Sequence, residues 1–239
     1  MSVTGFVLLD LDGVLVDSRA AITGCINEAL VDHGLPAWSA ESLQRFIGPP
    51  LAQAFAELTG EDAASGLVAS CVAAYRRRYA TVSLTHTEVV PGIPEALTKL
   101  AVGSRLAVAS SKPLAFVEPL LQALGLRGFF SAVAGPDLSI RGEEKAVTIG
   151  RALNELGCPA RAVMVGDRSF DVVGAHAHSL LVVGVSWGIG SRDELTTAGA
   201  ELVIDTPDDL PAAVRRMLEH AASGGAGREP PQRPDSRVS

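Results

Sequence analysis

Phe6-Val7-Leu8-Leu9, followed at once by Asp10-Leu11-Asp12-Gly13, decides how the rest of the chain is read. Four consecutive apolar residues predict a strand buried on both faces, as inside a parallel sheet. Two carboxylates stand two residues apart where the run ends, and at strand spacing residues i and i+2 point the same way. Asp10 and Asp12 therefore share one site at the carboxyl end of the strand, where open parallel sheets place their ligands. Gly13 suits a tight turn and a close approach of backbone to ligand. Paired carboxylates can hold a hard cation such as Mg²⁺. They can also divide labour, one as nucleophile and one as proton carrier. Alone, the tetrapeptide reads equally well as an Asp-rich turn, so its surroundings carry the decision.

Downstream of Pro91-Gly92 the chain alternates. Strands are predicted at Leu106–Ala109, Ala132–Ala134, Ala162–Val165, Leu181–Val185 and Leu202–Ile204. Helices are predicted at Pro94–Leu100, Leu114–Leu124, Lys145–Leu156, Asp171–His178 and Leu210–Ala221. Alternation of this kind specifies an α/β fold, a doubly wound parallel sheet. Between the first strand and this region, from Asp17 to about Thr85, the pattern is helical. Asp17 or Ser18 can cap a helix reaching Leu30 and stopping at Gly34. Further helices are expected at Ser39–Phe46, Leu51–Leu58 and Leu67–Tyr79, with a break at Gly48-Pro49-Pro50. No strand is expected there, so this stretch reads as a small helical insert. Residues 223–239, rich in Gly, Pro, Arg and Ser, are expected to be disordered.

Composition excludes several function classes. The 239 residues fit one large domain or two small ones, and 47% hydrophobic residues supply a full core. A net charge of −7 disfavours a nucleic-acid partner, which needs a basic surface. No apolar stretch approaches the roughly 20 residues of a membrane span. The N-terminus lacks the basic region and small-residue cleavage site of a signal peptide. Cys25, Cys71 and Cys158 are scattered, with no metal-ligand spacing and no disulfide framework, and read as reduced thiols of a cytoplasmic protein.

Three more polar clusters stand at element ends. The strand at 106–109 runs into Ser110-Ser111-Lys112, where a hydroxyl can donate to a phosphoryl oxygen. The strand at 162–165 runs into Gly166-Asp167-Arg168-Ser169-Phe170-Asp171, with a third strand-end carboxylate and a fourth one helical turn on. Asp171 is read equally as a helix cap and as a metal residue. Lys145 opens a helix, where the dipole does not favour a cation; the placement suggests a task, with a solvated Lys as the other reading. These parts fit one reaction, the attack of a carboxylate on a phosphate dianion. A divalent cation and a lysine offset the repulsion between the two anions.

In order and spacing, Asp10-Leu11-Asp12-Gly13-Val14-Leu15-Val16-Asp17, Ser110, Lys145 and Gly166-Asp167-Arg168-Ser169-Phe170-Asp171 resemble the four motifs of the haloacid dehalogenase-like hydrolase superfamily. The resemblance runs from about Phe6 to Leu210 and is greatest to the phosphoglycolate phosphatase-like branch. Phe46-Ile47-Gly48-Pro49-Pro50-Leu51 is similar to that branch's cap segment. Val185-Ser186-Trp187-Gly188-Ile189-Gly190, with Asp193-Glu194-Leu195, is similar to its C-terminal signature.

This resemblance implies a Rossmann-like core, residues 1–16 and 89–222, with a helical cap over 17–88. It implies Asp10 as nucleophile and metal ligand, with Asp12 as general acid/base that also binds the metal through its backbone carbonyl. Ser110, Ser111 and Lys145 would hold the phosphoryl group. Asp167 would ligate Mg²⁺ with Asp171 behind it. The substrate would be a small phosphorylated metabolite (phosphoglycolate, a sugar phosphate or a nucleotide). Asp12 argues against dehalogenation, and a chain with no lysine before Lys99 lacks the cap lysine of phosphonatases. A phosphomutase and a non-catalytic binding descendant are the alternatives, and oligomeric state is left open.

Smaller features are read conservatively. Gly48-Pro49-Pro50 is a candidate substrate-facing loop whose individual residues read as an interhelix turn. Arg76-Arg77-Arg78 reads as a solvated helix end. His176 and His178 do not share a helix face. Trp187-Gly188-Ile189-Gly190 lacks the third glycine of a dinucleotide fingerprint.

Overall fold

The opening apolar run becomes strand β1 (Gly5–Leu9), and the computed structural model, which describes residues 5–140 and 142–224, builds the molecule around it. After β1 come β2 (Val16–Asp17), helices α1 (Arg19–Val31), α2 (Ala40–Leu43), α3 (Leu51–Thr59) and α4 (Gly66–Val82), and then β3 (Glu88–Val89). The alternating region supplies α5 (Ile93–Ala101), β4 (Ser104–Ala109), α6 (Leu114–Ala123), β5 (Phe130–Ala134), α7 (Lys145–Glu155) and β6 (Ala162–Gly166). It ends with α8 (Ser169–His176), β7 (Leu181–Val185), α9 (Arg192–Ala198), β8 (Leu202–Ile204) and α10 (Leu210–Gly224). Of the tail expected to be disordered, residues 223 and 224 instead complete the last turn of α10, and the rest, from residue 225 on, lies outside the described residues.

Six strands form one sheet in the order β5-β4-β1-β6-β7-β8, every pairing parallel. From β1 the chain winds outward to β4 and β5, then returns to the other side for β6, β7 and β8. The direction of winding therefore reverses beside β1, the place where such sheets bind ligands. The strands read as unbroken apolar runs because both faces are covered. Val7, Leu9, Val163 and Val165 pack into one layer with Leu97, Val117, Leu121, Val214 and Met217 from α5, α6 and α10. Leu8, Met164 and Val182 point the opposite way, into a layer with Ile149, Val172 and Leu195 from α7, α8 and α9.

The helices α1 to α4 enclose a core of their own, around Ile26, Leu30, Phe55, Tyr75 and Tyr79. Phe116 of α6 and Ile189 pack against it from the sheet side. The chain enters and leaves this unit through two neighbouring strands, β2 and β3, paired antiparallel as Val16 with Val89 and Asp17 with Glu88. The sequence showed no strand here, since two residues are too few to carry a period. The short helix α9 also went unread. The helix expected over Ser39–Phe46 is instead α2 continued by one 3₁₀ turn, Gln44–Phe46.

Leu97 is fully buried beneath the sheet, whereas Val102, just past the end of the same helix, is two-thirds exposed. Leu97→Ala should cost about 2–5 kcal/mol, the range for a large-to-small change in a close-packed core. Val102→Ala should stay within about 0.5 kcal/mol. Urea denaturation midpoints check both; equal losses would mean that the sheet face is not packed as described.

Candidate active site

Every residue singled out from strand ends in the sequence lines one cavity of about 650 Å³ between the sheet's carboxyl edge and the helical unit: Asp10, Asp12, Ser110, Ser111, Lys145, Asp167 and Asp171. β1 and β6 are adjacent, so their terminal carboxylates meet, and the Asp10 backbone N–H donates to the Val165 carbonyl at 3.0 Å. One oxygen each from Asp10, Asp167 and Asp171 lie within 4.8 Å of one another.

Lys145 stands at the first turn of α7 and is buried. Its Nζ lies 2.7 Å from Asp10 Oδ1 and 2.7 Å from Asp171 Oδ1. Here is the task that its unfavourable helix position implied. Asp171 takes the cap role and adds an ion pair. Its Oδ2 accepts the backbone N–H groups of Asp167 and Arg168 at 3.2 and 3.1 Å, closing the start of α8, while Oδ1 holds Lys145.

Asp167 is fully buried, and its Oδ2 accepts the Ile189 N–H at 2.7 Å. Its Oδ1 is buried with no hydrogen-bond partner among the described residues. A carboxylate oxygen left in that state is costly unless something cationic completes it. The donor set is all hard oxygen, which suits Mg²⁺. Asp10 and Asp167 therefore fit a divalent cation, with Asp171 already engaged behind them.

The backbone makes room for this packing. Gly13 has φ +84°, and a Cβ there would stand 2.1 Å from Asp167 Oδ2; one on Gly188 would stand 2.3 Å from the same atom. A glycine at each place lets two loops close against a single carboxylate.

Charge density shifts these groups. Burial pushes the Asp10 carboxyl up to about 6, against the pull of Lys145 and with help from the Asp171 charge. Asp167 is raised well above the usual carboxylate range, first by burial and then by repulsion from Asp171 and Asp10. Burial draws the Lys145 ammonium down, but Asp10 and Asp171 outweigh it and hold it above its ordinary value.

Asp12 lies on the cavity side, one oxygen fixed by two donors. Ser18 Oγ and Lys112 Nζ each lie 2.5 Å from Asp12 Oδ1. Ser18 occupies the N-cap position of α1 but makes no cap hydrogen bond; its hydroxyl is diverted to the site. Ser110 is buried, and its Oγ accepts the Lys112 N–H at 3.2 Å.

Several residues are placed differently from their sequence reading. Gly48, Pro49, Pro50 and Arg76 line the cavity. The arginine run is split by helix geometry. Arg76 Nη1 donates to the Leu138 carbonyl at 2.9 Å, Arg77 is exposed, and Arg78 pairs with Glu28 and Asp32. Arg168, unassigned in the sequence, donates from Nη1 to the Ile47 carbonyl at 2.7 Å and from Nε to Glu194 Oε1 at 3.0 Å. Glu194 also accepts both Ser169 donors at 2.8 Å. Burial raises its carboxyl, yet these donors outweigh it and leave Glu194 below its ordinary value. His176 and His178 do not meet, one pairing with Glu201 and the other contacting the Ala146 carbonyl.

Comparison with known proteins agrees with this architecture. The family model of haloacid dehalogenase-like hydrolases matches residues 7–185. A 5'-nucleotidase of Pseudomonas aeruginosa is 37% identical over 215 residues, covering 89% of this chain and 95% of that protein. A plasmid-encoded phosphoglycolate phosphatase of Cupriavidus necator is 32% identical, covering 86% and 91%. The crystal structure of a predicted phosphatase from Clostridium acetobutylicum superposes with a TM-score of 0.82 at 32% identity, covering 90% of this chain and 100% of that one. The chain belongs to the haloacid dehalogenase-like hydrolases, as its motifs implied.

The raised carboxyls fix the sign of a stability test. A carboxylate whose folded pKa exceeds its unfolded value lowers stability as pH climbs from the ordinary carboxylate range through the folded value. In chelator, Asp167→Asn removes that penalty, so its melting temperature should rise relative to wild type as pH goes from about 4 to 8. Mg²⁺ should then raise the melting temperature of wild type and not of the variant, by ligand linkage. Equal Mg²⁺ shifts in both proteins would remove Asp167 from the metal site.

Proposed function

We propose that this chain is a Mg²⁺-dependent phosphatase that hydrolyses a phosphate monoester through an aspartyl-phosphate on Asp10. The observation that carries the reading is the unpartnered Asp167 oxygen beside the Asp10–Lys145–Asp171 ion cluster, on the floor of the cavity. Asp10, Asp167 and the Asp12 carbonyl would hold the magnesium ion, which when bound offsets the charge of the phosphoryl group. Lys145, Ser110 and Ser111 bind and orient the phosphoryl oxygens.

The Asp10 carboxylate forms a bond to phosphorus as the ester P–O bond breaks, and Asp12 gives its proton to the departing oxygen. The alcohol leaves. Water then attacks the aspartyl-phosphate phosphorus, Asp12 takes the water's proton, and Asp10 is released as a carboxylate with inorganic phosphate. Asp12 ends in the state in which it began, as a general acid/base must.

Among small phosphate esters, the cavity favours a nucleoside monophosphate. Its volume lies in the middle of the range for ligand sites, far larger than a two-carbon leaving group fills. Its upper wall is apolar and aromatic, with Phe46, Tyr75, Tyr79 and Phe116. The name of the Pseudomonas relative points the same way. No helix among the described residues is long and apolar enough to cross a membrane. With three free cysteines, two of them buried, the reading places the activity in the cytoplasm.

Phosphate release from nucleoside monophosphates, sugar phosphates and phosphoglycolate, with Mg²⁺ and with chelator, tests this. Asp10→Asn should lower kcat by at least about a thousandfold, as expected for loss of a nucleophile. A higher kcat/KM for phosphoglycolate than for every nucleotide would reject the substrate class. Phosphoryl transfer without release of inorganic phosphate would point to a mutase.

A further inference from the structure

The chain has three lysines, and two of them are buried in this one site. The mechanism above uses Lys145 and leaves Lys112 without a task. Lys112 is carried on the loop after β4, its side chain only 6% exposed. Its Nζ reaches Asp12 Oδ1 at 2.5 Å and the Tyr79 hydroxyl at 2.6 Å. Tyr79 comes from α4, in the helical unit, and is 1% exposed. Its ring is stacked on Tyr75, with centroids 5.2 Å apart, and meets the edge of Phe116 at 5.5 Å. Burial, and next the Asp12 charge, push the Tyr79 phenol well above its ordinary value, so it stays a neutral, fixed hydroxyl.

We propose that Lys112 is a positioning residue for the leaving-group proton. Held by the Tyr79 hydroxyl, it pins one oxygen of Asp12 and fixes the direction in which the other addresses the departing ester oxygen. Three features support it. A buried ammonium needs anionic and hydrogen-bonding partners, and Asp12 and Tyr79 supply both. The aromatic packing around Tyr79 leaves its hydroxyl little freedom, so the lysine has a second fixed partner besides Asp12. The other lysine is committed to the nucleophile, 2.7 Å from Asp10. Each of the two reacting carboxylates thus has a lysine of its own.

This inference rests on the phosphatase reading and sharpens it. Proton donation matters when the leaving oxygen is an alkoxide and hardly at all when it is p-nitrophenolate, which departs unprotonated. kcat/KM covers the steps up to departure of the leaving group, so the ratio of kcat/KM for p-nitrophenyl phosphate to that for the best alkyl ester isolates the effect. Both rates come from one preparation, and the fraction folded cancels.

Lys112→Met should raise this ratio by about a hundredfold, the scale of general-acid catalysis. Tyr79→Phe, which keeps the ring and its packing, should raise it in the same direction by a smaller factor. Asp12→Asn should raise it at least as much as Lys112→Met. If Lys112→Met lowers both rates equally, Lys112 serves phosphoryl binding or structure and the proposal is overturned. If Tyr79→Phe leaves the ratio at the wild-type value, the tyrosine tie is overturned. A wild type that releases phosphate from neither ester overturns the phosphatase reading and this inference with it, whereas an Asp10-dependent wild type with an unmoved ratio overturns this inference alone.

Discussion

Four carboxylates and two ammonium groups crowd the carboxyl ends of β1, β4 and β6, most of them out of reach of water. Charges in such a place are tolerated only when paired and hydrogen-bonded. Lys145 answers Asp10 and Asp171, and Lys112 answers Asp12. Carboxyls outnumber ammonium groups here, and Asp10 and Asp167 are both raised, first by burial and then by repulsion from their acidic neighbours. A divalent cation among Asp10, Asp167 and Asp171 would relieve that repulsion.

The fold makes this crowding achievable. A parallel sheet covered on both faces has no solvent except at its strand ends, so polar groups collect there. The reversal of winding beside β1 opens a crevice at those ends, and Gly13 and Gly188 let the loops close to within a carboxylate's width of Asp167. The same absence of side chains explains Gly166, where a Cβ would stand 2.2 Å from Asp171 Cβ. Packing here is set by the charged cluster, not by apolar residues, which fill the two layers on either side.

How much of this was legible depends on range along the chain. The strands were readable because burial on both faces writes an unbroken apolar run, and Asp10, Asp12 and Asp167 were readable because each directly follows such a run. Lys145 was readable because it sits where a helix dipole disfavours it. Lys112 stood in view beside Ser110 yet acquired no role, because its partners lie 100 and 33 residues away. Ser18 looked like a helix cap, and only the fold shows its hydroxyl turned to Asp12. Three consecutive arginines look alike in sequence. At 100° per residue they point in three directions, and only the seating of α4 decides that Arg76 faces the cavity.

That seating is itself tied to the site. Loops after three strands of the sheet each share a polar tie with the helical unit: Lys112 after β4 with the Tyr79 hydroxyl, the Leu138 carbonyl after β5 with Arg76, and Arg168 after β6 with the Ile47 carbonyl. Arg168 stands between Asp167 and Asp171, Lys112 two residues from Ser110, and Leu138 in the loop that leads to Lys145. Every tie thus involves a segment that also carries or leads to a residue lining the candidate site. Hydrogen bonds that involve a charged partner contribute about 1.5–3 kcal/mol each. Three of them tie the small helical unit to the sheet's carboxyl edge, yet their sum is small beside the cost of unfolding either core. The seating of the helical unit and the alignment of the cavity floor are consequently coupled, because the same three loops serve both.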